Sequence, residues 1–327
     1  MPLTEHIAFL WYVRPNNFPD SEESVEIIKL VISTFFVLWI FSYIYGILVI
    51  NKVLAKERKY MKDLSNKNII HIRKDGIEYL QFRKLLEYSD VINHAYGIGV
   101  DRNYRTAKSA NDYKCLCNAI GTDYRNCVKP CQEHTKNIRN VKQKLNKGKL
   151  DFEQEEYKST DGLITNQHNI VLATTNADCI LFIFFDPVKK VIANVHSGWR
   201  GTLQKISVKA VNKMKNEYEC NPKDIICCIC PSIRKCHFKV HADVQGPYYN
   251  EFKDLKEINE LIVPIQGEDR WTIDTVEINK IILKQAGLKE ENIIDCGLCS
   301  VCHSNLIHSF RVEKEGYGLN TAIIELK

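Results

Sequence analysis

Asn176-Ala-Asp-Cys179-Ile-Leu-Phe-Ile-Phe-Phe185, then Asp186-Pro-Val-Lys189, then Lys190-Val-Ile-Ala-Asn-Val-His196-Ser-Gly-Trp-Arg-Gly-Thr202 run consecutively through the middle of the chain. The outer segments are β-branched and aromatic, and the Asp-Pro segment between them is a turn signal, so the stretch predicts a β-hairpin. Closing the loop between Phe185 and Lys190 sets Ile180 opposite Val195 and Cys179 opposite His196. Directly opposed residues on antiparallel strands share a face, with Cβ atoms about 4.5–5.5 Å apart. That separation suits a thiolate and an imidazole converging on one small ion, and equally a nucleophile beside its base. The bland alternative is a small core cysteine near a hydrogen-bonded structural histidine. Spacing alone leaves all three open.

Outward from the hairpin, residues 69–72 and 77–82 read as a first hairpin about Asp75-Gly76, and 91–96, 170–175, 225–229 and 321–326 as further strands. Apolar positions at helical spacing mark 107–120 and 203–218, and 277–286 reads as a helix stopped by Gly287. The polar run 142–158 reads as an exposed connection. Strands mixed with helices in no regular βαβ period predict an α/β fold, a layered sandwich of mixed sheets.

The 327 residues, 45% hydrophobic and 26% charged, describe a globular chain, and a net charge of +5 without a compact basic-aromatic motif gives no reason to expect nucleic acid. Seven of the thirteen cysteines cluster around 227–236 and 296–302 rather than forming a disulfide framework, and no convincing cleavable signal precedes them, which favours free thiols in a reducing compartment. Residues 30–50 are uncharged and strongly apolar. As a helix they would span roughly 30 Å, a bilayer core. Asp20, Glu22, Glu23 and Glu26 precede this run and Lys52, Lys56, Arg58, Lys59 and Lys62 follow it, so the expectation is an N-terminal transmembrane helix with a cytoplasmic domain at 61–327. A start at Met61 would instead leave a soluble cytoplasmic protein.

Gln132-Glu-His134, Asp161-Gly-Leu-Ile-Thr-Asn166, Ala177-Asp-Cys179 and His196-Ser-Gly-Trp-Arg-Gly201 follow one another in an order that resembles the YfiH-like proteins, also called laccase-domain or polyphenol-oxidase-type purine nucleoside phosphorylases. Pro231-Ser-Ile and His308-Ser-Phe-Arg311 resemble two later segments of that family, and the likeness extends from about residue 65 to the end. The resemblance implies a YfiH-like fold and one metal ion, zinc with copper as the alternative, held by His134, Cys179 and His196. Three nitrogen and sulfur ligands leave the fourth tetrahedral position for water or substrate, the arrangement of a catalytic site. Asp178 is a candidate proton shuttle or ligand-orienting group, and Arg200 and Arg311 are candidate anion clamps; each could equally form a structural ion pair. The implied partners are a purine nucleoside and phosphate, in phosphorolysis of adenosine, inosine or methylthioadenosine with accompanying adenosine deamination. The alternatives are a cysteine hydrolase or amidase acting on peptidoglycan precursors, with Cys179 as nucleophile and His196 as base, and a copper-dependent polyphenol oxidase.

Two departures from the pattern stand out. Cys230 replaces the usual glycine before Pro-Ser-Ile, and Tyr96-Gly-Ile-Gly-Val-Asp101 lacks the arginine expected in that loop. Cys299-Ser-Val-Cys302-His303 fits the haem-attachment spacing, but a domain kept inside the cell argues against it. A structural zinc site made of Cys296, Cys299, Cys302 and His303 packs four ligands into eight residues with no second pair in view, so reduced thiols are the expectation there. The zinc-deaminase signature is missing: no His-x-Glu precedes a Pro-Cys-x-x-Cys.

Overall fold

A computed structural model of the chain describes residues 33, 36, 37, 39, 40, 42–47 and 63–327, apart from 106–108, 146–149 and 153. It divides into two units, Met1–Asp63 and Leu64–Lys327. In the first, the described residues between 33 and 47 are helical. Much of the apolar run 30–50 lies outside the described residues, and among those described no helix is long and apolar enough to cross a membrane.

The second unit is built on β1 (Ile69–Lys74), β2 (Ile77–Phe82), β3 (Ile92–Ile98), β4 (Cys127–Lys129), β5 (Ile138–Asn140), β6 (Asp151–Phe152), β7 (Gly162–Thr165) and β8 (Val171–Asn176). They are followed by β9 (Ile180–Asp186), β10 (Val191–Ser197), β11 (Ile226–Ile229), β12 (Lys239–Val240), β13 (Ile262–Pro264), β14 (Trp271–Ile273), β15 (Ile293–Asp295) and β16 (Asn320–Leu326). One sheet runs β1-β2-β3-β16-β8-β4-β6, a second β15-β11-β9-β10-β7-β5, and a small third β12-β14-β13. Both large sheets are mixed: β4 is parallel to β8, β5 to β7 and β11 to β15, whereas β16–β8, β9–β10 and β10–β7 are antiparallel.

The four longest helices of this unit are α1 (Ala110–Ile120), α2 (Ile206–Tyr218), α3 (Ala242–Phe252) and α4 (Thr275–Gln285). Helix α1 sets Tyr113, Leu116 and Cys117 against Tyr79, Ala95, Val171 and Ile323 of the first sheet. On the second sheet, α2 and α4 cover Phe182, Phe184, Ala193 and Val195 with Ile206, Val211, Met214 and Leu283. Burying a side chain such as Phe182 or Phe184 stabilises the fold by about 1.5–3 kcal/mol. The remaining faces of the two sheets meet at β8, β10 and β16, which completes the layered sandwich. Asn194 ties the sheets together from β10. Its amide donates to Leu172 O at 2.9 Å and Ala322 O at 2.8 Å, and its carbonyl oxygen accepts from the Thr174 hydroxyl. A buried amide is tolerated there because its polar atoms are satisfied.

Three local expectations change. The β9–β10 hairpin forms, but Asp186 pairs with Val191, so His196 lies opposite Leu181 rather than Cys179. The cause is the aspartate, whose carboxylate accepts the Val188 and Lys189 N–H groups at 2.8 and 2.9 Å and thereby sets the loop at 187–190. A two-residue shift in pairing keeps every side chain on its expected face. The stretch 142–158 is only partly an exposed connection, since Asp151 and Phe152 form buried β6 and Tyr157 is buried as well. Helix α4 starts earlier than its apolar spacing indicates because Asp274 caps it, accepting the Glu277 N–H at 3.0 Å.

Candidate metal centre and active-site cleft

The topology gathers three chain segments at one end of the sandwich. β4 runs parallel to β8, so the chain leaves both strands at the same end; β8 turns through Ala177–Cys179 into β9, and β10 returns to that end at Ser197. Asp178, at φ +80°, makes the tight turn between the two sheets. Cys179 stands at its exit, His196 at the end of β10, and His134 in the loop after β4.

The ligand atoms of His134, Cys179 and His196 all lie within 4.8 Å of one another, and Cys179 Sγ is 3.7 Å from His134 Nε2. The two imidazoles are nearly perpendicular, with centroids 5.0 Å apart at 77°. Tetrahedral zinc, with bonds of about 2.3 Å to sulfur and about 2.0–2.1 Å to nitrogen, sets S···N separations of roughly 3.5 Å. The donor set therefore fits a single ion. His196 is buried, Cys179 half-buried and His134 exposed, so the centre opens on one side.

Asp161, two residues past the Ser159 turn and immediately before β7, organises this centre. Its Oδ1 accepts from His196 Nδ1 at 2.7 Å and from the His134 backbone N–H at 3.0 Å, and its Oδ2 from the Thr135 N–H at 2.6 Å and hydroxyl at 2.7 Å. With Nδ1 committed to Asp161, His196 turns Nε2 toward the sulfur. Gln132 fixes the same loop by pairing its amide with the edge of β8, accepting from Thr175 N–H at 2.8 Å and donating to Thr175 O at 2.7 Å. Burial opposes ionisation of the Cys179 thiol, but the His196 charge and hydrogen bonds from both imidazoles outweigh it and bring it down to about 6. Burial likewise opposes charge on His196, but the thiolate and Asp161 hold it up, at about 9. Asp161→Asn should lower the basicity of His196 and weaken metal affinity roughly 10- to 100-fold, the usual cost of losing a ligand's carboxylate partner. Metal titration of the variant against the wild type would check this.

Gly198 is required by close approach. Its φ of −68° is ordinary, but an added Cβ would stand 2.3 Å from His134 Cδ2 and 3.3 Å from Cys179 Sγ.

Two cavities share His134, Ala177, Cys179 and Phe310. One, of about 280 Å³, has an apolar and aromatic wall of Ile180, Trp199, Ile233 and Phe238, with Arg311 at its side. The other, of about 380 Å³, carries two basic side chains, Arg105 and Lys129, beside Gln132, Thr175 and Tyr317. Arg105 stacks 4.2 Å over the Tyr317 ring and donates to Tyr317 O.

A family profile described as multi-copper polyphenol oxidoreductase laccase matches residues 55–327. The chain belongs to that family. Among curated relatives of this laccase-family chain, purine nucleoside phosphorylase YlmD of Bacillus subtilis is 28% identical over 230 residues, covering 70% of this chain and 81% of the relative. Human purine nucleoside phosphorylase LACC1 is 31% identical over 178 residues, 53% of this chain and only 40% of that protein. Adenosine deaminase RL5, from an unknown prokaryotic organism, is 24% identical over 72% of this chain and 93% of the relative. The crystal structure of Bacillus licheniformis YfiH superposes with a TM-score of 0.66 at 23% identity, covering 78% of this chain and 98% of that one, which supports the fold.

Within this laccase-family site the remaining candidate residues take different places. Asp178 lines the apolar cavity, but its carboxylate is engaged: Oδ1 accepts the Ser300 and Ser309 hydroxyls at 2.6 and 2.7 Å, and Oδ2 the Arg311 N–H at 2.6 Å. Arg311 itself donates to His237 O and Lys239 O, both at 3.3 Å. Arg200 is exposed, stacked 4.2 Å over Trp199, and lines neither cavity. Arg105, Gln132 and Asp161 are functional candidates to which sequence spacing gave no role. Asp161 stood inside a motif and Gln132 beside a ligand, whereas nothing local marked Arg105.

Proposed function

We propose that the chain is a zinc-dependent purine nucleoside phosphorylase that also deaminates adenosine. The observation that carries this is a three-ligand centre of His134, Cys179 and His196 open to a cleft with one apolar, aromatic lobe and one basic lobe. The names of the curated relatives supply the reaction classes. A bound zinc ion would supply Lewis acidity and a lowered pKa for a coordinated water.

The chain's own residues then divide the work. Trp199, Phe238 and Phe310 offer the flat apolar surfaces that suit a purine, and Arg105 with Lys129 offers positive charge for phosphate. In phosphorolysis a phosphate oxygen bonds to C1′ of the ribose while the C1′–N9 bond breaks and the base leaves with the electron pair. Arg105 would hold the entering anion, and Asp178 would act as a positioning residue that fixes the wall carrying Arg311. Replacing Arg105 with alanine should raise the KM for phosphate by about 10- to 100-fold, the value of a hydrogen bond to a charged group, with the KM for inosine little changed. Arg200→Ala should leave both constants near wild type. Initial rates with each substrate varied in turn check both.

A second reading has one specific observation in its favour. Cys179, His196 and Asp161 are arranged as nucleophile, base and orienting carboxylate. A triad gives no reason for a second imidazole 3.7 Å from the sulfur, whereas a metal centre does. Activity insensitive to chelators and abolished by alkylation of Cys179 would favour the hydrolase. A copper oxidase has less support, because the His/Cys clusters among the described residues contain three histidines in all. The apolar run 30–50 is proposed as a membrane anchor on its composition alone; recovery of the full chain from the soluble fraction after alkaline extraction would count against it.

A further inference from the structure

We infer that the chain carries a second metal site, a closed structural zinc centre formed by Cys236, His237, Cys299 and Cys302. The ligand atoms of these four residues lie within 4.8 Å of one another. His237 Nδ1 is 3.1 Å from Cys236 Sγ, 3.5 Å from Cys302 Sγ and 3.6 Å from Cys299 Sγ, and the sulfurs of Cys236 and Cys302 are 3.9 Å apart. Tetrahedral zinc with three thiolates and one imidazole requires ligand separations of roughly 3.5–3.8 Å. A disulfide would bring two of the sulfurs to about 2.05 Å, and the separation of Cys236 and Cys302 is far longer.

The sequence hides this site by dividing it. Cys299 and Cys302 have finger-like Cys-x-x-Cys spacing, but the completing pair comes from 62 residues upstream and consists of adjacent residues. Cys296, which spacing offers as a ligand, is buried elsewhere and accepts the Leu298 N–H. Adjacent ligands can chelate one ion because Cys236 and His237 lie in a tight turn, in which the His237 and Phe238 N–H groups both donate to Arg234 O at 2.8 Å.

A four-ligand set leaves no vertex for substrate, so this centre is structural where the first is open. What it joins gives it consequence. The 231–238 segment contributes Ile233 and Phe238 to the apolar wall of the cleft, and the 299–302 segment contributes Ser300, which donates to Asp178 beside Cys179. Apart from the centre, the two segments are paired through Ser232 N–H to Leu298 O at 3.4 Å and Ser300 N–H to Ser232 O at 3.0 Å. The ion would pin the outer ends of that short pairing and hold the purine-facing wall in place.

The test separates this centre from the first. Cys179→Ala leaves the four ligands untouched, so after zinc loading and dialysis it should retain one zinc per chain where the wild type retains two. Cys179→Ala combined with Cys299→Ser and Cys302→Ser should retain none. Because that combined variant could fail to fold, wild-type protein provides a second measurement. Cys236 and Cys302 are exposed, so their resistance to iodoacetamide in zinc-loaded protein, lost when a chelator removes the zinc, would report ligation directly. A folded Cys179→Ala protein with no zinc, full-rate alkylation of Cys236 and Cys302 in loaded protein, or a Cys236–Cys302 disulfide found by mass would each overturn the inference.

Discussion

Cys179→Ala protein is expected to lose the ion shared by His134, Cys179 and His196, and with it phosphorolysis of inosine by at least about 10³-fold. The Lewis acidity of a bound ion is worth several kcal/mol, and each 1.36 kcal/mol is tenfold in rate. The substitution also removes the anion that, with Asp161, keeps the buried His196 charged, so the His196 pKa should fall. This gives the metal-free wild type a recognisable pH signature. Its thiolate–imidazolium pair adds stability as pH rises through about 6, where Cys179 ionises, and loses it as pH rises through about 9, where His196 discharges. The thermal midpoint of the metal-free wild type should therefore exceed that of Cys179→Ala most between those values and converge with it on either side. A constant difference across the range would mean that the two groups are not paired.

Gly198→Ala should also lower activity, less steeply and by a different route. Alanine adopts the backbone conformation of residue 198 without strain, but its methyl would stand 2.3 Å from His134 Cδ2 and 3.1 Å from Nε2, so the imidazole must swing away. A misplacement of about 1 Å at a reacting centre can cost on the order of 10²-fold, and here the displaced group is a ligand. The expected result is a protein that melts like the metal-free wild type but binds zinc and turns over inosine roughly 10²-fold less well. Unchanged zinc affinity would show that His134 is not held where the metal centre needs it.

The central strands were legible because they are short, β-branched and bounded by clear turns. The ordered motifs mark His134, Cys179 and His196 as candidate ligands, and the structure brings these three side chains together. Their convergence does not come from direct opposition across the hairpin. Cys179 lies beyond β9 and reaches the centre through the Asp178 turn, and the pairing slid by two residues because the Asp186 carboxylate captures the turn N–H groups. Local periodicity carries no information about such a capture. Arg105 carries no local marker for a related reason: it lies between β3 and α1, and the pairing of β3 with β16 is what brings it to Tyr317 at the cleft. The ligand pair Cys236 and His237 was invisible beside Cys299 and Cys302 because long-range chain proximity has no signature in spacing.

Ribose 1-phosphate release from inosine and phosphate, followed as metal-stripped wild-type protein is reloaded with zinc, tests the metal centre and the reaction together. The predicted result is negligible turnover before reloading and restoration on adding zinc, with Cys179→Ala silent throughout. Full turnover by the stripped protein would contradict a metal centre at His134, Cys179 and His196, and silence after full reloading would contradict the proposed reaction.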